Sequence, residues 1–499
     1  MTRRVDVIGG GPGGLYAARL LKRYDPGLEV TVHERMDGAA QTFGFGVGLT
    51  EATMRNLEEA DPETAARVRA VSYAGHELHW RGPDRSVRLH GARNLAVGRA
   101  ALLDVLAQAA IEAGVDYRPG SAADLGTVSG DVVIAADGVG SATRAKLAPD
   151  LGVHASLGRT RYLWCGTGFA VPSAYFSATA RGQEQFVVHA YPYAADRSTF
   201  LIEVDDTTWA GAGLGPFDAA TGPGQTDEQS VRRLEEILAA ELGGGRLLTN
   251  RTRWSRFTRL SLDRWHAGNV ALVGDAAHTA HYTLGSGTKL ALEDAIALAT
   301  ALTGEGSVRS AFTAYEQARR PAVRRFQQLA SRSQRWWDSY RWRSGWPAEQ
   351  LGLSFMTRSG NLTMTDYAKA EPAVVRTALG RFGEPPPAAA ELDEWVLARS
   401  GRAAPAAGAA VDEVAWSEPD VWGEAADQLV ARVAAGPDRP VLLTAGPEPA
   451  AQWARVDLAE RLRLQTGLCI GVEFPASEKG FAATSIAAGR ADFAVFSPA

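Results

Sequence analysis

Two groups of residues, far apart in the chain, carry types and spacings that can do chemistry together. The first is Gly9, Gly11, Pro12 and Gly14 within the run 5–14, followed by Glu34 and Arg35 at the end of the next β-favouring segment. Glycines at that spacing allow a tight turn, close backbone approach to a phosphate and packing of the next helix on its strand. The free N–H groups and positive dipole end of that helix then face the anion. An acid about 20 residues further on can bind a ribose hydroxyl. The second group is Gly274-Asp275-Ala276-Ala277-His278, running into Gly285-Ser286-Gly287-Thr288. Here an acid precedes glycines that admit a flat ligand, and a helix from 288 aims its N–H groups at developing negative charge. In this order the two groups describe one dinucleotide held at both ends. A glycine-rich turn and a helix cap without ligand are the plainer alternatives.

His281, in the second glycine-rich stretch, and His189 are candidates for a general base, because an unperturbed histidine titrates near neutrality. Tyr191 joins them as a candidate catalytic residue, and both Tyr191 and Tyr282 could hydrogen-bond a bound ring. Sheet packing is the alternative for each. No residue is assigned to a metal.

The elements that must position these residues follow from periodicity. Residues 4–8 and 29–33 are strands, 15–23 has a helical period and 1–35 forms a βαβ unit. The stretch 36–50 carries Gly44, Phe45, Gly46 and Gly48. It cannot hold a stable helix, and its glycines imply close approach to something flat. Residues 51–70 are expected as one helix, 73–90 as a hairpin turning near 82–84, and 98–113 as a helix beginning with Arg99. The apolar strand 131–135 ends at Asp137. Between 155 and 260 period-two runs at 162–169, 185–191 and 198–204 predict an antiparallel sheet interrupted by a helix near 227–242. Residues 384–411, rich in Pro, Ala and Gly, read as a linker with a short helix inside it. Beyond it, strands at 441–444, 469–474 and 493–497 alternate with helices at 450–464 and 480–488.

The expected fold is therefore α/β and α+β. A Rossmann-like domain (1–154 and 261–383, with middle strands near 73–98) interweaves with an antiparallel-sheet substrate domain (155–260). A small C-terminal βαβαβ domain (412–499) follows. The chain has 499 residues, of which 45% are hydrophobic and 22% charged, with a formal net charge of −5. That charge leaves no footprint for nucleic acid, and no apolar run approaches the ~20 residues that span a membrane. Cys165 and Cys469 are far apart and expected to be free thiols in a reducing cytoplasm. The N-terminus enters the first strand at once, so no signal peptide is expected.

Over about residues 1–385 the chain resembles the single-component (group A) FAD-dependent aromatic hydroxylases of the para-hydroxybenzoate hydroxylase superfamily. Gly9, Gly11, Gly14 and Glu34 match its ADP-binding fingerprint. Asp137-Gly138 with Ser141 and Arg144 match a second fingerprint, tied to both FAD and the nicotinamide cofactor. Gly274-Asp275 match a third, in which the acid binds the FAD ribityl chain, and Arg99 matches an arginine that reaches the FAD phosphates. A narrower branch, the anthraniloyl-CoA and salicylyl-CoA hydroxylases, resembles the chain at 274–281, 285–291, 293–295, 189–191, 198–200 and 357–360. His281 and Lys289 stand where the wider family has Pro and Asn. Residues 486–493 resemble the end of the old-yellow-enzyme barrel that follows the hydroxylase in the anthraniloyl-CoA enzymes, here as a shrunken remnant.

The resemblance implies FAD, NADPH or NADH as a transient reductant, and O2. It implies hydroxylation of an electron-rich aromatic or heteroaromatic ring through a flavin C4a-hydroperoxide. With one dinucleotide fingerprint present, the nicotinamide would bind, reduce the flavin and leave, while the glycine stretch at 43–48 would let the flavin shift. The substrate is expected to be a small aromatic molecule (phenol, pyridone or indole type) of natural-product biosynthesis, or alternatively an aromatic CoA thioester. A homo-oligomer is expected. If residues 412–499 are only structural, removing them should leave hydroxylation intact. No Trp-x-Trp-x-Ile-Pro segment of a flavin halogenase occurs. Epoxidation or Baeyer–Villiger chemistry stays open, and a non-catalytic flavin-binding scaffold is the alternative of another class.

Overall fold

The computed structural model describes residues 3–37, 44–82, 85–285, 287–304, 306–401, 404–405, 410–444 and 449–497. Phe43 of the glycine stretch, Pro83 and Asp84 of the expected hairpin turn, and Ser286 lie outside the described residues. The chain divides into two compact units. The first comprises residues 1–77 and 92–331, and the second comprises residues 78–91 and 332–499.

The first unit holds a parallel sheet built around the opening strand Arg4–Ile8. That strand pairs with Glu29–Glu34 on one side and Val132–Ala135 on the other. Val270–Leu272 extends the sheet in parallel, and the edge strand His266–Ala267 is antiparallel to it. Helix Pro12–Tyr24 starts with Pro at its first turn, where the missing N–H costs nothing, and buries Leu15, Leu20 and Leu21. The expected single helix over 51–70 is two, Glu51–Ala60 and Pro62–Ala70. Pro62 cannot continue a helix, and Asp61 caps the second by accepting from the Thr64 backbone N–H. Asp61 is fully buried because Arg19 reaches it at 2.8 Å.

An antiparallel sheet forms the other half of this unit. Strands Val153–Thr167, Arg197–Val204, Glu184–Ala194 and Ala174–Arg181 pair in that order, and Ser255–Leu262 pairs with Val153–Thr167. The strand at 174–181 was not legible as a period-two run. Alternation sorts the two faces. Leu163, Cys165, Phe186, Val188, Phe200, Ile202 and Val204 point one way, into a core closed by Val231, Leu234 and Leu242 of the 228–242 helices. The residues between them point the other way.

Part of the glycine stretch is a strand as well. Gly46–Leu49 pairs antiparallel with Ser86–Gly98, Gly46 opposite Gly98. A Cβ at Gly46 would lie 2.6 Å from the Tyr193 ring, so only glycine fits that crossing. The Gly46 N–H donates to Thr199 Oγ1 at 2.9 Å, and the Arg99 N–H donates to the Phe45 carbonyl at 2.7 Å. Residues 45–49 are therefore fastened at several points.

The second unit carries a four-stranded parallel sheet. Its order is Asp412–Ala415, Val441–Thr444, Ile470–Pro475, Phe493–Ser497. Helices Glu424–Ala435, Pro449–Thr466 and Lys479–Ala487 connect successive strands. The first strand and first helix add to the expected βαβαβ pattern. One core joins this sheet to the helices before it. Leu353, Tyr367, Val375 and Leu379 pack in the same cluster as Leu443, Leu458, Val472 and Ile486. Among the described residues, no helix is long and apolar enough to cross a membrane.

Candidate active site

A cavity of about 1020 Å³ opens in the first unit, at the upper end of the size range of ligand pockets. The glycine turn forms one end. Gly9 sits at φ +106, and a Cβ there would lie 2.4 Å from the Ala136 carbonyl oxygen. A Cβ on Gly14 would lie 2.1 Å from the Gly9 oxygen, so helix and strand touch as that spacing requires. At Gly11 the nearest atom to such a Cβ is 4.0 Å away. Gly11 keeps space open for a ligand rather than closing a contact, and it lines the cavity with Gly9, Gly10 and Pro12. Glu34 lines it too, its carboxylate fixed by the Gly10 N–H at 2.7 Å and the Met36 N–H at 2.8 Å. Arg35, exposed, lies beside it.

The second and third fingerprints are tied to each other. Asp137 accepts from Ser141 Oγ at 2.6 Å and from the Thr143 N–H at 3.0 Å. Ser141 in turn caps the short helix Ala142–Lys146. Arg144 Nη1 donates to the Ala276 carbonyl at 3.0 Å, locking the turn that carries Asp275. The same turn is held from behind. The Gly274 N–H donates to Asp294 at 3.0 Å, and Asp294, fully buried, also receives His278 Nε2 at 2.7 Å and Arg319 Nε at 2.9 Å. Burial works to raise the Asp294 pKa, but His278 and Arg319 outweigh it and the net direction is down. His278 thus braces the turn and does not line the cavity. Asp294→Asn is expected to cost about 3 kcal/mol, read by urea denaturation. Because the folded pKa lies below the unfolded one, this stability is present above the ordinary carboxylate range. It is lost as pH falls through the lowered folded value.

Asp275 is exposed to the cavity that it lines. Desolvation holds its carboxyl above the usual range. Arg99 and His278 oppose that shift, and Asp294 adds to it. Arg99 also lines the cavity, and burial lowers its pKa against the pull of Asp275. Gly285, at φ +62, and Gly287 with Thr288, opening helix Gly287–Thr303, complete this side. A Cβ on Gly287 would lie 3.8 Å from Asp275 Oδ1, so the acid stands beside that helix end.

The opposite wall is the second face of the antiparallel sheet, turned away from its apolar core. Tyr162, Trp164 and Tyr191 line the cavity, with Phe257 and Tyr282. The Tyr282 ring meets Tyr162 at 5.0 Å, Phe257 at 5.9 Å and Trp164 at 6.0 Å. Tyr191 donates to the Gly46 carbonyl at 2.7 Å, and burial pushes its pKa up to about 12. His189 and His281 are buried and neither lines the cavity. His189 Nε2 lies 3.2 Å from Glu203 Oε2, and the His281 ring stacks 4.1 Å from Tyr282. Phe45 packs toward Gly166, where a Cβ would meet its ring at 2.5 Å.

Glu203 escaped the reading of the sequence. It is the one acid in the strand Arg197–Val204, which is apolar or hydroxyl-bearing at all other positions after Arg197, and it lies on the cavity-side face, 2% exposed. A carboxylate inside a run such as Phe200-Leu201-Ile202-Glu203-Val204 is itself a signal, because burying an unpaired charge is prohibitive.

These residues fit FAD. Gly11 leaves room at a helix N-terminus for phosphate, and Glu34 is preset for a ribose. Asp275 and Arg99 stand midway, and the helix at Gly287 faces a ring-lined pocket. Once bound there, FAD supplies electron transfer from NAD(P)H and activation of O2. The protein's own groups orient, exclude water and stabilise charge.

Comparison with known proteins agrees. The family model described as FAD binding domain matches residues 2–330. Salicyloyl-CoA 5-hydroxylase of a Streptomyces species is 39% identical over 386 residues, covering 73% of this chain and 72% of the relative. The 3-hydroxy-4-methyl-anthranilyl-(aryl-carrier protein) 5-monooxygenase of Streptosporangium sibiricum is 37% identical over 365 residues, covering 73% and 97%. The crystal structure of 2-methyl-3-hydroxypyridine-5-carboxylic acid oxygenase shares the fold, with a TM-score of 0.54 at 22% identity over 74% of this chain and 96% of that one. The chain belongs to the FAD-binding-domain family and is an FAD-dependent aromatic monooxygenase that uses NAD(P)H and O2.

Proposed function

We propose that the substrate is a benzoyl-type ring with an ortho hydroxyl or amino group, presented as a thioester, and that oxygen enters para to that group. The observation that carries this reading is the similarity to two relatives, both over 73% of the chain. Their names share that ring pattern and differ in the tether, CoA in one and a carrier protein in the other. The aromatic wall of Tyr162, Trp164, Phe257 and Tyr282 supports it, since a flat ring packs well between such faces. An ortho donor directs electrophilic oxygen to the para carbon, so ring and position are chemically consistent. A carrier-tethered ring would also suit natural-product biosynthesis.

The test is NAD(P)H oxidation by the FAD-loaded protein with salicylyl-CoA and anthraniloyl-CoA, set against the free acids, phenols, pyridones and indoles. Stimulation at least ~10-fold stronger by the thioesters is expected, equivalent to ~1.4 kcal/mol of transition-state binding. Stimulation by free rings alone would sink the thioester reading.

We also infer that the four-stranded parallel sheet of the second unit is the remnant of a (β/α)8 barrel. Its strands follow one another in sequential order with a helix after each of the first three, as in half such a barrel. A doubly wound sheet would reverse order at a switch point.

A further inference from the structure

Glu203 stands where a substrate-facing wall meets the loop before helix Gly287–Thr303. Its Oε2 accepts the Tyr282 hydroxyl at 3.0 Å and lies 3.2 Å from His189 Nε2. The groups facing it come from three elements: His189 on strand Glu184–Ala194, Thr160 and Tyr162 on Val153–Thr167, and His281 and Tyr282 on the loop. Tyr162 is its direct cross-strand neighbour. Burial works to raise the Glu203 pKa, but His189, His281 and Thr160 outweigh it, so the net direction is down. The carboxylate stays ionised through the neutral range and has no proton to give.

A tyrosine hydroxyl owns one proton. An ionised carboxylate at hydrogen-bond distance claims it, because a charge-assisted bond is about twice as strong as a neutral one. What Tyr282 then has left for any other partner is lone-pair density.

We propose that Glu203 is a positioning residue that makes Tyr282 an obligate hydrogen-bond acceptor, so that the cavity selects rings bearing a hydroxyl or amino donor at that point. The proposal rests on the substrate reading above for the kind of ring, and not for its tether. It adds a reason why donor-bearing rings are taken. A donor held against lone pairs pushes electron density into the ring that is to be attacked, whereas an ether or a bare ring offers Tyr282 nothing. No proton need leave the substrate.

The test is equilibrium binding to the oxidised, FAD-loaded enzyme, read from the perturbation of flavin absorbance without turnover. Four ligands are compared, 2-hydroxybenzoate and its O-methyl ether, each as free acid and as CoA thioester. The wild type is expected to prefer the hydroxyl over the ether by about tenfold, the size of one good hydrogen bond. Tyr282→Phe should abolish that preference. Glu203→Leu should also abolish it and improve ether binding, because the released Tyr282 proton can then be donated. Flavin loading and thermal melting check that each variant is folded, and two variants guard against the failure of one. A hydroxyl preference that is absent in the wild type, or that survives both substitutions, overturns the proposal. A hydroxyl preference that both substitutions abolish, without any thioester preference, sinks the tether reading and upholds this one.

Discussion

Replacing Asp275 by alanine is expected to weaken FAD binding by about 10- to 100-fold, the loss of one charge-assisted hydrogen bond at ~1.5–3 kcal/mol. The same substitution should leave the apoprotein as stable as before, or more so. The reason lies in the direction of its pKa. Desolvation first, with Asp294 adding, holds the Asp275 carboxyl above its ordinary range. A group whose folded pKa is raised binds its proton more tightly when folded, so stability falls as pH rises from the unfolded to the folded value. At neutral pH the charged Asp275 therefore adds nothing to the stability of the empty fold. A residue that adds no stability and serves only a ligand is the mark of a binding site. The measurements are FAD affinity by fluorescence titration and the apoprotein melting temperature. Unchanged affinity would show that Asp275 does not hold the cofactor. A fall in apoprotein stability of more than ~1 kcal/mol would show that it is a structural acid like Asp294.

Removing residues 412–499 is expected to prevent the second unit from folding, giving insoluble or protease-sensitive protein. The hydrophobic cluster of that unit is shared. Leu353, Tyr367, Val375 and Leu379 would lose Leu443, Leu458, Val472 and Ile486. Two arginines left behind would lose their acidic partners, and the bonds made by the removed Arg490 would go with it. Arg343, fully buried, pairs with Glu460 at 2.7 Å, and Arg335 pairs with Asp457 at 2.6 Å. Arg490 donates to the Ser354 carbonyl at 2.9 Å and to Thr357 Oγ1 at 3.1 Å. Breaking one buried pair costs ~3–5 kcal/mol, against a total stability of ~5–15 kcal/mol for a domain. The shared core thus argues that even a purely structural tail cannot be removed without unfolding the rest of its unit. A soluble truncation that unfolds cooperatively and binds FAD would contradict this account. Solubility, circular dichroism and limited proteolysis supply the readout.

The legible parts of this chain were those whose geometry is local. Gly9, Gly14, Glu34 and Asp275 announce themselves because a turn, a helix start and an acid at fixed spacing are short-range constraints. Asp61-Pro62 was equally local, an N-cap followed by a helix-starting proline, and it should have divided the helix at 51–70. What periodicity could not supply was the content of the faces. Alternation in 198–204 predicts a strand, but which face meets the 228–242 helices is decided by packing far along the chain. His189 and His281 illustrate the same limit. Their residue type suggests a base, while burial against Glu203 and Tyr282 places them behind the cavity wall. The glycines at 46 and 48 looked like an open loop, because the Tyr193 ring that demands Gly46 lies in a different strand. The joint core of 332–499 is likewise a long-range fact, invisible to a composition shift at 384–411.

The most direct test of the central claim is mass spectrometry of the product formed from a thioester-linked 2-hydroxybenzoyl ring, NAD(P)H and isotopically heavy O2. The account predicts one heavy oxygen atom on the ring carbon para to the hydroxyl, with one NAD(P)H consumed per product. NAD(P)H consumption that ends only in hydrogen peroxide, with no heavy oxygen in the ring, would contradict it.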